Sequence, residues 1–181
     1  IQSLYMDFTF LTTGGFYIHT EFQTTDKKEA DLRRFHAYDA VYSNKTGKKV
    51  ITYVIYSGGI TNVKSELDCG LYTYRVQPIY LKNKNADEVF RKLKQKQDNG
   101  EAFTEDDYAA LSLTPLMSGK MSRKDMFKEA ICLAKPNIEL SAEKATAMLY
   151  TLADKFLDRA ELDEIKEVMR MTRLGQMLMD E

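Results

Sequence analysis

The chain is short of several features that announce a function. It has two cysteines, Cys69 and Cys132, far apart and without CxxC spacing. They suggest neither a disulfide framework nor a thiolate metal site, and two free thiols, buried or half-buried, in a reducing compartment are expected. No run approaches the roughly 18 apolar residues of a membrane-spanning helix, and no basic-then-apolar leader opens the chain. A cytoplasmic protein with no membrane partner is the expectation. The formal net charge of -1 excludes a broad basic surface, and with it tight nucleic-acid binding by bulk charge. No Ser-His-Asp or Cys-His arrangement stands out. Ser57-Gly58-Gly59 lacks phosphate-loop spacing and reads as a turn, and Gly119-Lys120 lacks the upstream glycine.

What is present is an ordinary globular composition, 44% hydrophobic and 29% charged over 181 residues. That is enough for one domain, or one domain with a helical appendage, around a sizeable core. The first residue is Ile rather than Met, and the chain opens almost directly into a strand-like run, so upstream residues are expected.

The stretch Tyr5–Tyr42 organises the rest. Leu4–Leu11 alternates Met6, Phe8 and Phe10 with Tyr5, Asp7 and Thr9, and Phe16–Gln23 alternates Phe16, Ile18, Thr20 and Phe22 with Tyr17, His19, Glu21 and Gln23. Period two predicts strands, and Thr12-Thr13-Gly14-Gly15 between them predicts a hairpin. Register then matters. A two-residue Gly14-Gly15 turn would set Asp7 opposite Phe22, whereas a three-residue loop, Thr13-Gly14-Gly15, sets it opposite Glu21. Burial of the Phe-rich faces favours the odd loop, with a glycine in the left-handed conformation or a bulge.

Thr25-Asp26 is expected to cap a helix from Lys27 to about Ser43, stopped by Asn44-Lys45-Thr46-Gly47. Val50–Tyr56 (VITYVIY) reads as a central strand buried on both faces. Strand, helix, strand implies a βαβ crossover in a mixed sheet. Leu71–Leu81 reads as an edge strand because Pro78 cannot donate to a ladder. Beyond Lys82 the pattern is all helical. Starts are expected at Asn85-Ala86-Asp87, at the Thr104–Asp107 capping box, at Ser122 and at Ser141, with a last helix over Ala160–Met171 that Arg173–Met179 could continue. The expected architecture is α/β, a mixed-sheet core over 1–82 followed by an all-helical half over 83–181 that packs on it or mediates association.

Two carboxylates on facing strands, Asp7 and Glu21, can hold a hard cation such as Mg²⁺ or Mn²⁺, with the backbone carbonyl of Phe22 as a natural third ligand. Gln23 shares their face. Arg34 and Tyr38, at i and i+4, share a helix face that the crossover could aim at the end of the Glu21 strand. The planar fork of Arg34 suits a phosphate, Tyr38 could orient water or a phosphate oxygen, and Arg33 competes for the arginine role. His19 lies on the Glu21 face as well; His36 does not share the Arg34 face. Equally, Asp7 and Glu21 fit the solvent face of a half-covered sheet, and Arg34 fits an arginine stacked on Tyr38. Alternation alone does not separate these.

The order of Asp7, hairpin, Glu21-Phe22-Gln23, Arg34-x3-Tyr38 and the VITYVIY strand resembles the PD-(D/E)XK nuclease superfamily. It is most similar to the branch of recombination-promoting nucleases and putative transposases. YIHTEFQTT and ADLRRFHAYDAVY carry the specific part, and LTPLMSGK (Leu113–Lys120) and TRLGQML (Thr172–Leu178) also resemble that branch. The resemblance implies a restriction-endonuclease-like core, Asp7 and Glu21 as Mg²⁺ ligands, and DNA phosphodiester hydrolysis, with Gln23, Arg34 and Tyr38 as the other catalytic residues. A homodimer would pair two sites for cutting both strands. Two departures stand out. Gln23 occupies the place of the superfamily's lysine, as is common in this branch. The helix and strand that precede the Asp strand in the superfamily are absent here. The alternatives are a nuclease-like module without catalysis, serving as a DNA- or protein-binding scaffold, and an RNA-directed nuclease.

Overall fold

A computed structural model describes residues 6–136 and 139–170. The chain divides into two compact units, Ile1–Asn83 and Lys84–Glu181.

The first unit is a mixed four-stranded sheet with one crossover helix. Strand β1 (Phe8–Leu11) runs antiparallel to β2 (Tyr17–Gln23). Helix α1 (Glu29–Thr46) then returns the chain to β3 (Val50–Tyr56), parallel to β2, and β6 (Gln77–Tyr80) lies parallel to β3 at the edge, giving the order β1-β2-β3-β6. The three-residue hairpin loop is present. Thr12 N–H donates to Phe16 C=O at 2.9 Å, and Gly15 closes the turn at φ 78°, a conformation that glycine adopts without a Cβ clash. Phe8 pairs with Thr20 and Thr9 with His19, so the same register extended one step sets Asp7 opposite Glu21.

The polar face of β2, expected to be open, is enclosed, while the Phe-rich face is buried only in part: Phe22 is 2% exposed, and Met6, Phe8, Phe16 and Ile18 are half-buried. His19, Glu21 and Gln23 on β2 and Thr52, Val54 and Tyr56 on β3 are buried, and the rings of Phe35 and Tyr38 on α1 lie against His19. Phe10 and Ile51, on the other face, are 56% and 39% exposed. β3 is therefore buried on one face, not two. A short helix lays a single stripe on the sheet. Here Leu32 and Phe35 fill that stripe with Val54, Tyr56, Leu67 and Val76, and the polar side chains of β2 are enclosed with them.

The Leu71–Leu81 run is split. β5 (Thr73–Arg75) pairs with β4 (Glu66–Asp68) in a separate antiparallel hairpin, and only β6, carrying Pro78, joins the main sheet. Helix α1 starts two residues later than expected. Thr25 does not cap it, and Lys28 stands at the N-cap with φ 54°, ψ -121° and no side-chain cap. Asp26 accepts the Lys28 N–H at 2.8 Å instead. That backbone region suits glycine, so Lys28→Gly should raise stability by about 0.5–1 kcal/mol in urea unfolding. An unchanged or lower midpoint would contradict this.

The second unit is helical: α2 (Ala86–Asp98), α3 (Glu105–Leu113), a 3-10 turn (Thr114–Leu116), α4 (Arg123–Ala134), α5 (Leu140–Phe156) and α6 (Arg159–Arg170). Asn85, Thr104 and Ser122 cap their helices as expected. α5 begins before Ser141, behind Glu139. Phe127, Ala130 and Ile131 of α4 are fully buried at the centre of this unit. The expected continuation over Arg173–Met179 lies outside the described residues. No helix among the described residues is long and apolar enough to cross a membrane. Cys69 is half-buried and Cys132 is exposed rather than buried; both are free thiols.

Candidate functional site

The site is built at one end of β2. Tyr17 N–H donates to Lys49 C=O and Gln23 C=O accepts from Ser57 N–H, so odd-numbered residues of β2 bond to β3. By the period of two, the backbone groups of Phe22 face the other way, toward β1. Beyond the end of β1, Asp7 takes over from the ladder: its Oδ2 accepts the Phe22 N–H at 2.9 Å. Asp7 is thus tied to the Phe22 backbone at the strand end, in the register position opposite Glu21.

Glu21 is 1% exposed and held from several sides. Its Oε1 lies 3.0 Å from His19 Nε2. Its Oε2 accepts from Gln23 Nε2 at 3.3 Å and faces Arg34 Nη2 at 3.6 Å. α1 supplies the arginine, and Arg34 rather than Arg33 is the one turned inward. Arg33 is exposed and pairs with Glu29 on the same helix. Arg34 Nη2 also stands 3.5 Å from buried Asp31 Oδ1, and its guanidinium lies over the Phe35 ring. Both contacts are ionic rather than hydrogen-bonded. Nε and Nη2 of Arg34 are buried with no hydrogen-bond partner among the described residues. Tyr38, one turn on, has its phenol pKa raised. Burial is the main cause; Arg34 opposes it, and the charges of Glu21 and Asp7 reinforce it. Glu21, Gln23, Arg34 and Tyr38 are therefore neighbours, and the charge of Asp7 reaches the Tyr38 phenol.

Behind Glu21 lies a polar network that alternation did not reveal. His19, fully buried, bridges Glu21 and Asp39, with Nδ1 2.8 Å from Asp39 Oδ1. Asp39 Oδ2 accepts from the Thr52 and Tyr74 hydroxyls, the latter at 2.6 Å. Burial alone would lower the His19 pKa, but hydrogen bonds and charge from Asp39 and Glu21 outweigh it and raise it above the ordinary value. Burial and the Asp39 charge push the Tyr74 phenol far up. One signal for this network was readable: Thr52 is the one aliphatic hydroxyl in VITYVIY, on the parity that faces α1. His36 joins Tyr72 instead, at 2.8 Å, on the exposed side.

The described residues contain no group of three or more His, Cys, Asp or Glu side chains able to hold a metal ion. The two carboxylates and the backbone carbonyl expected from the sequence would make an all-oxygen donor set. That matches a hard cation which keeps several waters, and it does not suit a metal needing a closed protein cage. Compared with protein-family models, curated proteins and solved structures, the chain finds no match in any of the three.

Proposed function

We propose that this chain is a Mg²⁺-dependent DNA endonuclease of the PD-(D/E)XK superfamily, in the recombination-promoting nuclease and putative transposase branch, on a restriction-endonuclease-like core. The observation that carries the reading is the hairpin register, which sets Asp7 opposite Glu21 at the strand end where Arg34 and Tyr38 arrive from α1.

Asp7, Glu21 and the Phe22 carbonyl would hold the ion, with Mn²⁺ as a substitute. When bound, the cation supplies charge neutralisation at the phosphate and an acidified water. The protein's own residues do the rest. Gln23 donates its amide N–H to Glu21, which leaves its Oε1 as an acceptor to orient the attacking water. The partly exposed Arg34 would turn its planar fork from the Glu21 and Asp31 carboxylates that Nη2 faces to a phosphate oxygen. Tyr38 offers a protonated hydroxyl to a phosphate oxygen. Two such sites in a homodimer would cut both strands, which sedimentation equilibrium would reveal.

Supercoiled plasmid should be nicked in Mg²⁺ and left intact in EDTA. Arg34→Ala should slow nicking by about 10²-fold. Nicking that persists in EDTA, or an Arg34→Ala variant as fast as wild type, would overturn the reading. A second reading, a scaffold without catalysis, is favoured by one observation: Glu21 is already engaged by His19, Gln23 and Arg34. It expects no nicking and no Mn²⁺ bound at Glu21. Comparing RNA with DNA as substrate separates the RNA-directed alternative.

A further inference from the structure

We propose that His19 is a positioning residue for Glu21, and that Asp39, Thr52 and Tyr74 form a fixed bracket that holds it there. The inference rests on the nuclease reading above. A glutamate has three side-chain torsions, and a carboxylate that must meet a cation needs its plane fixed beforehand. Gln23 and Arg34 both approach Oε2, and Arg34 is partly exposed, so neither fixes the plane alone. The contact on Oε1 comes from His19 at 3.0 Å, from a fully buried ring.

That ring is fixed in turn. An imidazole bonded at one nitrogen alone can swing about that bond. Here Nδ1 is anchored on Asp39 Oδ1 at 2.8 Å, so both nitrogens are tied and the ring plane is set. Asp39 is held by two hydroxyl donors on its other oxygen, from β3 (Thr52) and from β5 (Tyr74). Four elements of the unit thus converge on one Glu21 oxygen: β2 through His19, α1 through Asp39, β3 and β5. Its other oxygen is turned toward Gln23 and Arg34, the side where the phosphate and ion would arrive. The bracket residues touch neither substrate nor ion; their effect reaches the site through His19.

The distant hydroxyls make the cleanest test, because removing one leaves the site's residues and formal charges unchanged. Tyr74→Phe and, as a second variant, Thr52→Val would be compared with wild type, Glu21→Gln and Tyr80→Phe. The Tyr80 hydroxyl serves a separate structural bond, accepting the Val63 N–H at 3.2 Å. Mn²⁺ affinity would be read from the electron paramagnetic resonance signal of the free ion, without DNA. Wild type should bind Mn²⁺ and Glu21→Gln should lose it. Tyr74→Phe and Thr52→Val should bind roughly 10-fold more weakly, the lower end of the range for groups that support a metal ligand. Tyr80→Phe should bind as wild type. In steady-state cleavage at fixed Mg²⁺, the two bracket variants should lower kcat and leave the KM for DNA within about twofold. Wild-type Mn²⁺ affinity in both bracket variants, with Glu21→Gln defective, would overturn the positioning role alone. An equal loss in Tyr80→Phe would also overturn it, as a general packing effect. No Mn²⁺ bound to wild type, or undiminished binding by Glu21→Gln, would overturn the metal site itself and this inference with it.

Discussion

Replacing Glu21 with alanine should abolish the proposed Mg²⁺-dependent cleavage and destabilise the sheet unit at the same time. On that reading the activity loss should be roughly 10³-fold or more, equivalent to about 4 kcal/mol of transition-state stabilisation, because the ion would lose its most enclosed proposed ligand. The stability loss follows from what Glu21 touches. It is 1% exposed and faces the fully buried His19, whose pKa its neighbours raise, and the partly exposed, cationic Arg34. Removing one partner from a buried charged cluster typically costs about 3–5 kcal/mol, since the remaining charge stays enclosed without its counter-charge. The lower end applies here because Arg34 reaches solvent. Glu21→Gln separates the two effects. The amide keeps the side-chain shape and an acceptor for His19, so most stability should survive, while cleavage should fall as far as in the alanine variant because the ion needs an anionic oxygen. Plasmid nicking rates and urea midpoints measured on both variants decide the matter. A glutamine variant that cuts like wild type would remove Glu21 from the ligand set, and an alanine variant with an unchanged midpoint would show that the cluster is not held by charge. Asp7→Ala should match the activity loss with a smaller stability cost, about 1 kcal/mol, because its carboxylate is half-buried and caps one backbone N–H.

The sequence carried the local geometry of this site further than its surroundings. The register of Asp7 against Glu21 was readable because side-chain parity and glycine placement are properties of a few adjacent residues. So were the caps at Asn85, Thr104 and Ser122, where one side chain meets the next turn. That the polar face of β2 is enclosed was not readable. Alternation separates the polar side of β2 from its apolar side, but the position of α1 decides which is enclosed, and Leu32 and Phe35 place the helix over His19, Glu21 and Gln23. A polar face buried under a helix must satisfy its own hydrogen bonds. That requirement explains Asp39, Thr52 and Tyr74, drawn from three elements that are distant in the chain. The β4–β5 hairpin escaped for a related reason. Leu71–Leu81 is uniformly strand-like, and nothing local marks Val76 as the point where it changes partner.

The helical unit has its own buried acid, and its response to pH should be large. Asp107, 3% exposed, closes the capping box of α3: Thr104 N–H donates to its Oδ2 at 2.9 Å, and Lys92 and Lys96 both reach it. Burial alone would push its carboxyl up. The hydrogen bonds from Lys96, from the Thr104 backbone and from Lys92 outweigh burial and hold it well below the ordinary carboxylate range. A depressed folded-state value means that the native unit binds the proton less readily than the unfolded chain. The resulting stability is complete above the unfolded pKa of about 3.9, and it is lost progressively as the pH falls from there toward the folded value. Asp107→Asn removes both charge-assisted bonds and should cost about 2–3 kcal/mol at pH 7. The same variant has no such linkage, so its deficit relative to wild type should hold from pH 7 to about 5 and shrink below pH 4. Other carboxylates titrate alike in the two proteins and cancel in the difference. Urea unfolding followed by far-ultraviolet circular dichroism at pH 7, 5, 4 and 3 measures it. A gap that stays constant to pH 3 would mean that the Asp107 contribution comes from shape and capping, with the two lysines adding nothing.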